Sequence, residues 1–147
     1  MKTTFFTIAI ISFLFTLNLK AQNSTPAPVS KAKINFKNLE HDFGKVNEND
    51  GPITFKFDFT NDGTDPLTLS NVKASCGCTT PNWSKEPIAP KGKGDVQATY
   101  NPKNRPGKFT KTITVTSNAD QPSVVLTIKG EVIPAPAEMP ANPEPKK

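Results

Sequence analysis

"ITFKFDF", residues 53–59, alternates without a break, with Ile53, Phe55, Phe57 and Phe59 separated by Thr54, Lys56 and Asp58. Successive side chains of an extended strand point to opposite faces, so the apolar four line one face and the polar three the other. The same period recurs downstream. In "VQATY", Val96, Ala98 and Tyr100 share a side. In "FTKTITVTS", Ile113 and Val115 oppose Thr112, Thr114 and Thr116. In "VVLTIKGEV", Val124, Leu126 and Ile128 oppose Val125, Thr127 and Lys129. Period two with β-branched and aromatic enrichment predicts half-buried strands. Clusters of turn formers separate the runs: "NDGTDP" (61–66), "APKGKG" (89–94), "NPKNRPG" (101–107) and "SNADQP" (117–122). Their Gly, Pro, Asn and Asp supply or tolerate the dihedrals that turns require. About seven strands with frequent turns predict an all-β fold, an immunoglobulin-like antiparallel β-sandwich, with a small closed barrel as the competing architecture.

The ends of the chain read differently. Residues 1–21 have the form of a secretory signal peptide, with Lys2 before an apolar run from Phe5 to Leu17 and a small residue, Ala21, before the expected cut. The run is shorter than the ~20 residues a spanning helix needs, so no transmembrane span is expected after cleavage. Residues 22–33 read as a flexible linker, and the Pro-rich 134–147 as a disordered tail, because neither holds enough apolar surface to offset the entropy of ordering. The domain is expected over 34–133, in a protein exported to the periplasm or beyond the cell.

The formal net charge is +5, and Lys2 and Lys20 of the leader contribute two of those charges. The remaining lysines are scattered rather than clustered, so a nucleic-acid partner is not expected.

Both cysteines lie in "SNVKASCGCTTPNW" (70–83), with only Gly77 between Cys76 and Cys78. Outside the cytoplasm neighbouring cysteines tend to be oxidised, and residues two apart can reach disulfide distance. Four roles stay open: a structural or partner-facing turn, thiol–disulfide exchange, soft-metal binding and an intermolecular bridge. Two thiolates suit copper(I) better than zinc, and His41, the one histidine, could complete a set of Cys76, Cys78 and His41 if the fold brings the turns together.

His41 and Asp42 are adjacent, so in a strand they face opposite ways and do not pair. His41 is expected at a turn or edge, hydrogen-bonded locally, and Gly44 at a bulge or close approach. Trp83 is expected to plug the core, or else to form a binding platform. Thr79 and Thr80 precede Pro81 and should be extended. Signatures of nucleophilic, metal-dependent or phosphate-binding enzymes are absent from the sequence, and an enzyme is not expected.

Taken together, "HDFGKV", "FTNDGTDPLTLSNVKASCGCTTPNW", "PIAPKGKGDVQATYNP", "GKFTKTITVTSN" and "LTIKGEV" resemble the bacterial family called domain of unknown function 1573, over residues 36 to 133. One departure is "PKGKG" (90–94) where the family often carries "PG", a loop difference. The resemblance implies a sandwich of Hydin-like or major-sperm-protein-like type and no particular function. The expected function is a non-catalytic binding or structural module without a cofactor. Its contact surface would be the Cys76-Gly77-Cys78 turn with Thr79, Thr80 and Trp83, and its partner a protein or another envelope component. The alternative is a thiol–disulfide redox or copper(I)-binding protein.

Overall fold

The structure, a computed structural model, describes residues 30–136. The expected leader, residues 22–29 of the linker and 137–147 of the tail lie outside the described residues. Eight strands follow one another: β1 (Ile34–Phe36), β2 (Glu40–Asn47), β3 (Ile53–Asn61), β4 (Leu69–Ala74), β5 (Thr79–Trp83), β6 (Lys93–Tyr100), β7 (Gly107–Ser117) and β8 (Ser123–Ile133). They form two four-stranded sheets, ordered β1-β3-β6-β5 and β2-β8-β7-β4. The alternation read in the sequence is realised residue by residue. Phe57, Phe59, Val96, Ala98, Tyr100, Ile113, Val115, Leu126 and Ile128 are buried between the sheets, while Lys56, Asp58, Thr114 and Val125 face outward. Each fully buried Phe, Leu, Ile or Val contributes roughly 1.5–3 kcal/mol, which makes this inner layer the main source of stability.

The first segment differs from a plain antiparallel sandwich. β1 pairs antiparallel with β3 in one sheet. The chain then crosses at 37–39 and continues in the same direction as β2, whose neighbour in the other sheet is β8. Because β8 runs that way too, the pair is parallel, and the split of the opening segment gives eight strands where about seven were expected. The β2–β8 register slips between Asp42 and Lys45. Gly44 sits in this bulge at φ 66°, a dihedral that side chains disfavour, and Asp42 Oδ1 accepts its N–H at 2.8 Å.

The strand axis gives the sandwich two ends. The turns at 62–66 and 118–122 lie at the lower end, and the loops at 48–52 and 101–106 at the upper. Packing begins ahead of position 34. Ala32 is fully buried, its carbonyl accepts from Asp120 N–H at 3.0 Å, and Lys31 O and Lys33 O accept from Thr64 and Asp62. This entering segment presses so closely on the 62–66 turn that a Cβ on Gly63 would stand 2.1 Å from Lys31 O. Asn61, fully buried, ties the region together. Its Nδ2 donates to Asp65 O and Ile88 O at 2.8 and 3.0 Å, and its Oδ1 accepts from Gly63 and Lys33 N–H at 3.0 and 3.3 Å.

Candidate functional site: the Cys76–Cys78 turn

β4 is an edge strand of one sheet and β5 an edge strand of the other. The chain passes between them through Ser75, Cys76, Gly77 and Cys78, so the turn lies on the lateral edge of the sandwich, in its upper half. The two cysteines are joined in a disulfide with their Cα atoms 5.3 Å apart. Backbone hydrogen bonds fix both flanks. Ser75 N–H donates to Thr112 O at 2.9 Å, Thr79 N–H to Cys76 O at 3.3 Å, and Asn101 N–H to Cys78 O at 3.0 Å. Cys78 packs against the core, whereas Cys76 lies between two exposed residues, Ser75 and Gly77. A Cβ built on Gly77 would meet nothing within 4 Å, so the apex of the turn is open.

The pleat of β5 sorts the residues singled out beside the cysteines. Thr80 faces outward and is exposed. Thr79 is only 3% exposed, and the expectation that it forms part of a contact surface is corrected, because it has the inward phase of the strand. Its hydroxyl lies 3.8 Å from Cys76 Sγ and 4.0 Å from Cys78 Sγ, its side-chain partners among the described residues. Trp83 is half-buried and packs on the core, with Lys85 Nζ 2.7 Å from the centre of its ring. Its indole Nε1 is buried without a partner among the described residues. The residue serves as an apolar wedge on the core, with a cation over its ring.

The open side of β5 offers no free N–H donor to an added strand. Cys78 O and Ser84 N–H take part in the β6 ladder, so the alternation of antiparallel pairing turns the backbone groups of Thr79, Pro81 and Trp83 outward. Thr79 N–H is taken by Cys76 O, Pro81 has none, and Trp83 N–H donates to Asn82 Oδ1 at 3.0 Å. An edge without free donors is a poor template for another chain.

His41 is not brought to the cysteines. It lies on β2, and the order β2-β8-β7-β4 sets it at the opposite edge of its sheet. Three strand spacings of about 4.8 Å separate the two edges, roughly 14 Å. A ligand set of Cys76, Cys78 and His41 is therefore not assembled. The His41 ring is held by stacking, with no side-chain hydrogen bond among the described residues. Its ring lies parallel to Phe55 at 3.6 Å and edge-on to Phe43 at 4.6 Å, with Asp42 on the other face. Two shallow depressions of about 490 and 310 Å3 lie on the outer faces of the sheets, around Lys56 and around Gly130, and neither includes a residue of the turn or of β5.

These features define an immunoglobulin-like β-sandwich whose opening segment is shared between its two sheets. The chain belongs to the family described as protein of unknown function (DUF1573), whose model matches residues 34–132. No curated protein matches it in sequence. Among solved structures it is similar to a protein of unknown function from Porphyromonas gingivalis, with a TM-score of 0.61 and 17% identity, over 75% of this chain and 51% of that one. The secreted serine protease VesC of Vibrio cholerae is similar at a TM-score of 0.53 and 18% identity, over 72% of this chain and 24% of the protease. The VesB protease of Vibrio cholerae follows at 0.52 and 12%, over 69% and 31%. This chain thus spans about half of the first structure and a third or less of the proteases, and at these identities the likeness is one of fold.

Proposed function

We infer that the protein is an exported, non-catalytic binding or structural module that meets a protein or envelope partner through the Cys76-Gly77-Cys78 turn and the adjoining Thr80. The observation that carries this reading is the position of the turn. It projects where edge strands of both sheets converge, with Gly77 open to approach and each flank held by backbone hydrogen bonds. A fixed, protruding turn suits a surface contact. The depressions on the sheet faces lie elsewhere, and the edge of β5, without free donors, favours contact through side chains and the turn over an added strand. The disulfide agrees with export, since such bonds persist in oxidising compartments. The non-catalytic part is supported by His41, the one histidine, whose ring is held between Phe43 and Phe55 away from the turn.

Photo-crosslinking in the producing cells tests this reading. A photoreactive amino acid is placed at Gly77, at Thr80 or at the exposed Lys45 of β2, on the sheet edge farthest from the turn. Discrete adducts from the first two positions and none from Lys45 are expected. Adducts confined to Lys45, or none from any site, would refute the assignment.

A further inference from the structure

We propose that Cys76–Cys78 is a working redox couple, opened and closed by thiol–disulfide exchange with a dithiol partner. The proposal rests on the accessibility of the turn argued above. It adds a chemistry to that surface. Three observations converge on it. First, the bridge encloses only Gly77, and the flanking backbone bonds to Thr112, Cys76 and Asn101 already fix the crossing between the sheets. The bond is therefore spare to the architecture and can open without releasing the strands. Second, the two sulfurs differ. Cys78 is packed on the core, while the half-buried Cys76 stands between exposed Ser75 and Gly77 and is not part of that packing, which makes Cys76 Sγ the more approachable sulfur for an incoming thiolate. Third, the buried Thr79 hydroxyl lies within 4.0 Å of both sulfurs and can donate to a thiolate formed there.

A thiolate of the dithiol attacks Cys76 Sγ, the Sγ–Sγ bond breaks, and Cys78 departs as a thiolate that takes up a proton. The second thiol of the reductant, losing its proton, then attacks its own partner sulfur in the mixed disulfide and releases Cys76. Two electrons pass to the protein, which becomes a dithiol, and the reductant becomes a disulfide. The reverse sequence oxidises the protein. We assign a bridge that is spare to the fold and has one sulfur off the core to the readily exchanged disulfides rather than to those resistant to glutathione.

The test uses the mature chain and small thiols, so it is independent of any macromolecular partner. The protein is equilibrated with reduced glutathione in excess over oxidised, quenched by alkylation and weighed, with circular dichroism as the control for folding. More than half of the folded protein recovered as dithiol or glutathione adduct is the expected result. More than half recovered as intact disulfide would overturn the proposal. Single variants then locate the attack. With Cys78→Ser, the remaining Cys76 should form its adduct with oxidised glutathione at least about tenfold faster than Cys78 does in Cys76→Ser, and equal rates would overturn the assignment of Cys76. Thr79→Val should raise the pH at which thiolate absorbance appears in the reduced protein, and Thr79→Ser should restore it; an unmoved titration would remove Thr79 from the mechanism. Exchange without crosslinks at the turn would leave this chemistry standing and sink the contact surface. Crosslinks without exchange would do the opposite.

Discussion

Replacing both cysteines by serine should leave the sandwich folded and only modestly weaker. The bridge closes a loop of three residues, for which chain entropy gives about 1.6 kcal/mol of stabilisation at 25 °C. The native state loses little else. Ser75, Thr79 and Asn101 keep the backbone bonds that hold the crossing, because none of these bonds uses a sulfur. Serine hydroxyls at the two positions have the Thr79 hydroxyl and solvent as partners, so no buried polar group is stranded. The expected loss is about 1–2 kcal/mol, against a total of roughly 5–15 for a domain of this kind. Urea unfolding of the wild type and of Cys76→Ser/Cys78→Ser, compared at equal slope, measures it. A loss above about 3 kcal/mol, or unfolding that is no longer cooperative, would mean that the bridge staples the sandwich, and the argument that it is spare to the architecture would fail.

Asn61→Ala, by contrast, removes four hydrogen bonds around a fully buried amide and should lose about 3–4 kcal/mol in the same urea experiment, more than the covalent bridge does. Gly63→Ala should lose about 1–3 kcal/mol and speed amide exchange of Thr64 and Asp120, since the added methyl meets Lys31 O. Burial raises the Tyr100 phenol above 10.0, against a weaker pull from Arg105, and the hydrogen bond and charge of Glu40 raise Lys129 above 10.5. Both groups hold their protons more tightly folded than unfolded, so their contribution is complete below about pH 10 and is lost as pH rises through the folded values. Urea midpoints should therefore be level from pH 8 to about 10 and fall above it, while a midpoint that rises there would contradict the assignment.

The strands and their faces were legible because each long run keeps one period, and burying the odd set of "ITFKFDF" leaves no other solution for its neighbours. The crossing from β1 to β2 was not legible. "KNL" at 37–39 carries no Gly or Pro, and the change of sheet is imposed by the neighbours each strand finds, β3 and then β8. Asn61 read as one turn former among several, and its role as a hub depends on the entering residues 31–33, far away in sequence. At the candidate site, the cysteine spacing permitted a bridge. Which of Thr79 and Thr80 faces the core is fixed by the phase with which the chain leaves the turn, and no local residue encodes it. His41 could be separated from the cysteines only by the order of the strands.

The parallel pairing of β2 with β8 also has a mechanical side. The chain enters the domain at the lower end and leaves at the upper, so tension applied through the flanking segments draws β2 towards one pole and β8 towards the other. Parallel neighbours dragged in opposite directions are loaded in shear. Their rungs share the force and must rupture together, whereas a hairpin peeled from its open end gives way one rung at a time. The register from Glu40–Thr127 to Asn47–Ile133 thus forms a lengthwise clasp across the domain, stiff along the line joining its two ends and weak to peeling from the side.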